Sequence, residues 1–242
     1  MRPVRTIGII SPSYHSLSLV DFIKLLPDDI GVIPLYVGLT GGNTVEEYLA
    51  ALDIYRQHIA QLARIGVDVI HPEGAPPFML LGYEGEQRLI AEWTAEHKLP
   101  VFTSGVSQAA ALRALGATRI VGVRYHSGAI NDNFIRYFRD AGFDFLAMEG
   151  LDPPRGQSGT VTPEVVRSQI AQAYRKHPTA EAVHLLGESM WRLRDVIPLE
   201  AELGVPVLHP VAARLWYLQT CLGLREPANG LGQLLERMPV RA

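Results

Sequence analysis

Cysteine is almost absent from this sequence, which contains only Cys221 among its 242 residues. A single cysteine excludes a disulfide framework and a cysteine-only metal site within one chain. It fits a reducing compartment, so we expect the protein in the cytoplasm. Long apolar runs are also absent. Ile7–Ile10 is far too short for a membrane span or for the apolar part of a signal peptide, so no membrane association is expected.

Other absences narrow the range of partners and cofactors. The formal net charge is −3 and no basic run or aromatic–basic stripe occurs, so nucleic acid is not an expected partner. The sequence has neither a P-loop for phosphate nor an H-x-x-x-H pair for a metal, so we expect no cofactor and no metal. Imidazole and carboxylate groups suit zinc or manganese, and a metal site would have to draw on His15, Glu73, His126, Glu188 and His209.

Short apolar runs rich in valine and isoleucine alternate along the chain with helical patterns. The composition, 48% hydrophobic and 19% charged, is that of a globular protein. Such an alternation predicts an α/β fold with parallel sheets. The predicted strands are Ile7–Ile10, Val32–Val37, Val67–Ile70, Val101–Thr103, Ile120–Val123, Phe145–Met148, Val183–Leu186 and Val205–Leu208.

The same half-unit occurs twice, which predicts two pseudo-symmetric Rossmann-like halves with a cleft between them. We place the first half at residues 1–116 and the second at 117–210, with 211–242 returning to the first half. Pockets of parallel α/β sheets form at the carboxyl ends of the strands. The strand ends should therefore bring Ser11, Glu73, Tyr125 and Glu188 to one cleft.

Three segments carry a resemblance to a known group of enzymes. They are the Gly-Ile-Ile-x-Pro opening at 8–12, the Gly-Ala-Pro-Pro-Phe turn at 74–78 and the Leu-Gly-Val-Pro-Val segment at 203–207. Together with the duplication, they resemble the aspartate/glutamate racemase superfamily. Within it, the sequence is most similar to the branch that holds arylmalonate decarboxylase and maleate cis-trans isomerase.

The resemblance also shows what this chain lacks. Members of the superfamily usually carry two cysteines that face each other across the cleft. The first of these positions falls on Gly74, as it does in the decarboxylases, and the second falls on Glu188. A two-thiol mechanism is therefore excluded. Cys221 lies in the last long helix, where we expect it to be packed in the core.

Two glutamates are candidates for the missing proton carriers. A buried Glu188 would have a raised pKa and could donate or accept a proton, although it could instead cap a helix over Ser189–Arg194. Glu73 precedes the first cysteine position by one residue. It either faces Glu188 as a second base or points out of the turn and pairs with a nearby base.

The resemblance implies further substrate contacts. Ser11 and Pro12 match a first loop that holds a substrate carboxylate, and Tyr125 matches a tyrosine that bonds one. Ala75 and Pro76 stand where the decarboxylase has hydroxyl residues that bind an enediolate. Pro76 has neither hydroxyl nor N–H, so this oxyanion site must be weaker or built differently. Further residues expected at the substrate are His15, Gly74, Ala75, His126, Ser189 and His209.

The predicted function is a cofactor-independent enzyme that acts on a small carboxylic acid through an enolate-like intermediate. Decarboxylation is the first prediction, because it needs one proton donor, for which Glu188 suffices. A racemase needs an acid–base group on each face of the substrate. The alternative is a cis-trans isomerase or racemase that uses Glu73 and Glu188, or a histidine, as two bases. A non-catalytic small-acid binding protein, a hydrolase and a metal-dependent lyase stay open. Assembly into a homo-oligomer is compatible with the sequence.

Overall fold

The computed structural model describes residues 5–14, 17–39, 44–124, 127–128, 130–150, 152, 162–187 and 191–241. The strands are β1 Arg5–Ser11, β2 Ile30–Tyr36, β3 Val69–Pro72, β4 Arg119–Arg124, β5 Asp144–Gly150, β6 Ala182–Leu186 and β7 Val207–Leu208. The helices are α1 Leu17–Leu25, α2 Val45–Ile65, α3 Ala75–Met79, α4 Gly82–His97, α5 Ser104–Ala114, α6 Ile130–Asp140, α7 Pro163–Lys176, α8 Leu193–Val196, α9 Leu199–Leu203, α10 Pro210–Cys221 and α11 Gln233–Arg237.

The strands form two parallel sheets with the same internal order. The first sheet runs β2-β1-β3 and the second runs β5-β4-β6-β7. Val101 extends the first sheet by a parallel bridge to Ile70, at the position that β7 holds beside β6. These findings confirm the predicted α/β fold with two pseudo-symmetric halves.

Helix ends follow the local chemistry of the sequence. Thr44 and Glu47 form a capping box at the start of α2, and Thr162 caps α7 ahead of a proline at its first position. Thr103 caps α5, so a helix begins at Ser104, three residues after Val101. The predicted strand at 101–103 is therefore reduced to a single bridge.

The alternation of side chains along β4 divides the core of the second half. Val121 and Val123 pack in one cluster with Val166 and Ile170 of α7. Ile120 faces the opposite way, into the large cluster that also contains the apolar side chains of α5 and α10. Arg124 lies on the same face of β4 as Ile120, because the two are four residues apart in a strand. Its side chain therefore leaves the end of the strand on the side of the first half.

Helix α10 follows the last strand and packs against α5 and α1, both of which precede residue 116. The division at residues 116–117 stays a prediction. Among the described helices, none combines the length and the apolar character that crossing a membrane requires.

Candidate active site

A cavity of about 180 Å³ lies at the carboxyl ends of strands from both sheets. Its walls come from the turns after β1 and β3 in the first half and from the ends of β4 and β6 in the second half. The lining is mostly apolar, which is typical of small-molecule sites. Residues that line it include Pro12, Ser13, Gly74, Gln108, Arg124, Phe134, Leu186 and Gly187.

Glycine occupies equivalent places at the two turns of the cavity. Gly74 follows β3 with a φ of 105°, and Gly187 follows β6 with a φ of 108°. Residues that carry a side chain rarely adopt such a positive φ, so both turns favour glycine. A Cβ at Gly74 would lie 3.0 Å from the Tyr55 hydroxyl and 3.3 Å from Cγ of Pro12, whereas a Cβ at Gly187 would meet nothing within 4 Å.

Glu73, which precedes Gly74, is held by its backbone and its side chain. Its N–H donates to the carbonyl of Ile10 over 2.9 Å, and its carbonyl accepts from the Tyr55 hydroxyl over 2.6 Å. Its Oε1 accepts from Nη1 of Arg214 at 2.6 Å and from Oγ of Ser18 at 2.7 Å. Glu73 therefore borders the cavity as one half of a buried ion pair.

Arg214, the partner of Glu73, is itself buried, with 1% of its side chain exposed. Its Nη2 donates to the carbonyl of Ser18 over 3.2 Å, and its guanidinium lies 4.3 Å from the centre of the Phe22 ring. Burial, together with the Arg214 charge, lowers the pKa of nearby His71 to about 3. Of the two interpretations of Glu73, the structure thus supports the one in which it pairs with a nearby base.

Arg124 brings a positive charge to the cavity from the second half. Its Nη1 donates to Oδ1 of Asn131, 2.9 Å away, and its guanidinium lies 5.2 Å from the centre of the Phe134 ring. In the strand register, Arg124 stands beside Leu186, one residue before Gly187. Burial lowers the pKa of Arg124 from its usual range, but a guanidinium in a protein stays protonated at neutral pH.

Gln108 of α5 also lines the cavity, and His184 orients it. Nε2 of His184 lies 2.7 Å from Oε1 of Gln108. Burial lowers the pKa of His184 to about 3, so the imidazole is neutral and donates to the amide oxygen. His71 and His184 are both buried and hydrogen-bonded within the protein.

Several predicted substrate contacts lie at the cavity and two do not. Pro12, Gly74 and Ala75 line it. Ser11 is fully buried and its hydroxyl donates to the carbonyl of Ser13 over 3.2 Å, so Ser13 stands at the wall instead. The side chain of Ser11 points into the core, and its contact with a substrate stays a prediction.

His209 also has a different place from the predicted one. It is fully buried, and its Nδ1 accepts from the N–H of Val211 over 3.1 Å, which makes it the cap of α10. Its Nε2 lies 3.2 Å from the carbonyl of Trp191. Nδ1 thus caps the helix and Nε2 contacts the segment before α8, so both ring nitrogens have partners within the protein and a substrate contact of His209 stays a prediction.

Five of the predicted site residues lie outside the described residues. They are His15, Tyr125, His126, Glu188 and Ser189. Glu188 follows Gly187 directly in the chain, and Tyr125 follows Arg124. Within the described ranges, no group of three or more histidine, cysteine, aspartate or glutamate side chains is arranged to hold a metal ion.

Two arginines, Arg124 at the cavity and Arg214 beside Glu73, were not among the predicted site residues. Arg124 follows four buried residues of β4, and Arg214 interrupts the apolar helix α10. A charged residue in such a run is seldom buried without a partner or a function. A charge within an apolar run thus marks both arginines in the sequence. The sequence does not show which residue pairs with Arg214, since Arg214 and Glu73 are 141 residues apart.

The protein is thus a two-part α/β protein with parallel sheets, and its two halves meet at a small, mostly apolar cavity. The sequence profile of the family described as arylmalonate decarboxylase matches residues 7–235. The chain therefore belongs to the arylmalonate decarboxylase family, in agreement with the predicted resemblance.

Solved structures of decarboxylases and isomerases share this fold. A glycine-to-cysteine variant of arylmalonate decarboxylase with an associated sulfate ion has 22% identity and a TM-score of 0.84, over 96% of this chain and 99% of that one. Maleate isomerase from Pseudomonas putida S16 has 19% identity and a TM-score of 0.85, over 97% and 99%. Maleate cis-trans isomerase from Nocardia farcinica, bound to Tris, has 22% identity and a TM-score of 0.82, over 97% and 98%. No curated protein sequence matches the chain.

Family membership supports an enzyme rather than a purely structural protein. The structural relatives are lyases and isomerases alike, and at these identities they establish the fold alone. The choice between the two reactions has to come from the residues at the cavity.

Proposed function

We propose that the protein is a cofactor-independent decarboxylase of a small carboxylic acid, with Glu188 as the proton donor. The observation that carries the proposal is the asymmetry of the two turns. Glu73 at the first turn is bound to Arg214 and Ser18, and the position after it is a glycine. Glu188 follows the glycine of the second turn. A proton donor on one face suits decarboxylation, whereas racemisation needs a group on each face.

The reaction breaks the bond between the α-carbon and the leaving carboxylate. The electron pair of that bond passes into an enediolate formed with the retained carboxyl group, and CO₂ leaves. Glu188 then gives its proton to the α-carbon and recovers one from solvent. An apolar surrounding raises the pKa of a glutamate enough for it to hold a proton near neutral pH. Apolar walls such as Pro12 and Leu186 exclude water from the leaving carboxylate.

An isomerase is the second candidate, and the two maleate isomerases among the structural relatives favour it. One of them has been solved as a cysteine-to-alanine variant with maleate. This chain has no cysteine at either turn, so an isomerase would need a base on the first half. The ion pair of Glu73 argues against that residue, which leaves a histidine such as His15. A small-acid binding protein or a hydrolase would show binding without decarboxylation or isomerisation.

The test compares phenylmalonate and maleate as substrates of the wild-type protein and of Glu188→Gln. Glutamine keeps the size of the side chain but cannot deliver a proton. General acids contribute about 10²–10⁴-fold, so we expect kcat for CO₂ release from phenylmalonate to fall at least about 100-fold. A 2-methyl-2-phenylmalonate substrate should give one enantiomer of the product, because the proton arrives from one face.

Glu181→Gln is the matched control, since Glu181 directly precedes β6 at the end away from Gly187, where it is partly exposed and pairs with Arg119. It should leave kcat unchanged. Glu73→Gln, run beside it, separates one-base from two-base chemistry. A comparable loss in Glu73→Gln and Glu188→Gln, or a racemic product, would favour the isomerase or racemase. Turnover within tenfold of wild type in Glu188→Gln would contradict the proposal.

A further inference from the structure

The cavity carries a guanidinium that the proposed reaction has not used. Arg124 is the last residue of β4 and lines the wall of the cavity. Other lining residues, such as Pro12, Phe134 and Leu186, are apolar. A cation at an apolar wall is costly to desolvate, so its place calls for a functional explanation.

The turn after Gly74, on the first-half wall of the cavity, offers few hydrogen-bond donors. Gly74 is followed by Ala75 and then by two prolines, Pro76 and Pro77, at the start of α3. Proline has no N–H, and alanine has no hydroxyl. Ala75 contributes a backbone N–H, but the turn offers no side-chain donor for the negative charge that decarboxylation creates.

We infer that Arg124 stabilises the enediolate, taking over the charge compensation that the Ala75-Pro76-Pro77 turn lacks. This inference rests on the proposed function. Both oxygens of an enediolate lie on one carbon and in one plane, as in a carboxylate. A guanidinium presents parallel N–H donors that match this arrangement, which a lysine ammonium does not.

The surroundings of Arg124 hold its guanidinium in place before the substrate arrives. The carbonyl oxygen of the buried Asn131 side chain accepts from Nη1, and the Phe134 ring lies 5.2 Å from the guanidinium. Both of these partners are neutral and belong to α6. They orient the guanidinium at the cavity wall. Donors that are oriented in advance stabilise a transition state without reorganising during the reaction.

A charge in this position should favour the intermediate over the substrate. As the bond to CO₂ breaks, negative charge moves from the leaving carboxylate to the oxygens of the retained one. A cation that faces the retained group gains attraction during the step, and this gain lowers the barrier. A cation that merely holds a carboxylate would strengthen binding of substrate and transition state equally.

The experiment measures kcat and KM for phenylmalonate in wild type, Arg124→Gln and Arg124→Lys. Loss of an oxyanion-stabilising donor costs about 10²–10³-fold in kcat, so we expect such a loss in Arg124→Gln with less than about a tenfold change in KM. Arg124→Lys keeps the charge and should recover part of kcat. Arg119→Gln, at the exposed opposite end of β4, is the matched control and should behave as wild type.

A binding measurement tests the inference without turnover. The nitronate anion of phenylnitromethane has two oxygens on one atom and a planar, delocalised charge, as the enediolate has. Phenylacetate resembles the acid before charge develops. We expect Arg124→Gln to weaken nitronate binding at least about tenfold more than phenylacetate binding, measured by calorimetry. Melting curves confirm that each variant is folded. If Arg124→Gln does not fold, the same comparison of the two ligands is made with Arg124→Lys.

The outcomes separate this inference from the proposed function. Equal losses of nitronate and phenylacetate affinity, or a raised KM with an unchanged kcat, would show that Arg124 only holds a carboxylate, and would overturn the inference. If wild type releases no CO₂ from phenylmalonate, the proposed decarboxylation of this substrate fails, while the ratio of the two affinities still decides the role of Arg124.

Discussion

The turn after β3 and the turn after β6 occupy equivalent places in the two halves, but their surroundings differ. Gly74 is enclosed by the Tyr55 hydroxyl and Pro12, and its neighbour Glu73 is tied to Arg214. Gly187 is exposed, and a Cβ placed on it would meet nothing within 4 Å. The same backbone conformation thus serves a packed turn in one half and an open turn in the other.

This difference separates stability from chemistry within one duplicated fold. The first turn links β3, α1 and α10 through buried hydrogen bonds and one ion pair, so a change there should affect folding. The second turn leads into Glu188 and has room beside its backbone. A change there should affect turnover more than folding. Amino-acid substitutions at the two turns and in the core test how far this separation holds.

Arg214→Met should have the largest effect on stability. It leaves the Glu73 carboxylate buried without its cation, which typically costs about 3–5 kcal/mol. Urea unfolding should therefore show a loss of that size. The double variant Glu73→Gln with Arg214→Met removes both charges and should regain a large part of the stability. A loss below about 1 kcal/mol in the single variant would show that the ion pair does not anchor the first turn.

Exchanging the two glycines for alanine compares the turns directly. Each alanine is forced to a positive φ, a strain of about 1–3 kcal/mol. Gly74→Ala also brings its Cβ to 3.0 Å from the Tyr55 hydroxyl, so it should be the less stable variant in thermal unfolding. Equal stabilities of Gly74→Ala and Gly187→Ala would remove the distinction between a packed and an open turn.

Glu86 shows how a buried carboxyl behaves without a guanidinium partner among its hydrogen bonds. Burial raises its pKa from 4.5 to about 7, against the opposing effect of hydrogen bonds from Tyr137 and Thr103. Because the folded-state pKa is the higher one, this stabilising contribution is fully present below about pH 4.5 and is lost as the pH rises through about 7.

Glu86→Gln should remove that part of the pH dependence. The difference in unfolding free energy between wild type and variant, measured from pH 4 to 8, should change across this window in the variant's favour. His71 and His184, with pKa values of about 3, contribute to both proteins alike and cancel in the difference. A pH-independent difference would mean that Glu86 does not titrate in the folded protein over this range.

Cys221→Ala should have the smallest effect on activity. The thiol lies at the end of α10, and burial raises its pKa to about 11, so it is protonated at neutral pH. We expect an unchanged kcat and no loss of turnover in proportion to labelling of wild type by iodoacetamide. A folded Cys221→Ala protein without turnover would place a thiol in the reaction after all.

Much of the site was predictable where residues repeat or end a strand. The duplicated segments placed Gly74 and Gly187 at matching turns, and both line the cavity. Ser11 and His209 were expected there for the same reason, but strand ends do not specify the direction of a side chain. Ser11 turns into the core and His209 folds back to cap α10.

The sequence by itself determined the two-part α/β fold. Its apolar runs, helix caps and repeated turns depend on contacts between near neighbours in the chain, and those contacts can be read from a local pattern. The tertiary structure alone decided that Glu73 meets Arg214 and that Arg124 reaches the cavity. These positions depend on how α10 packs against the first half and how the sheets face each other, because the partners come from distant parts of the chain and no local pattern relates them.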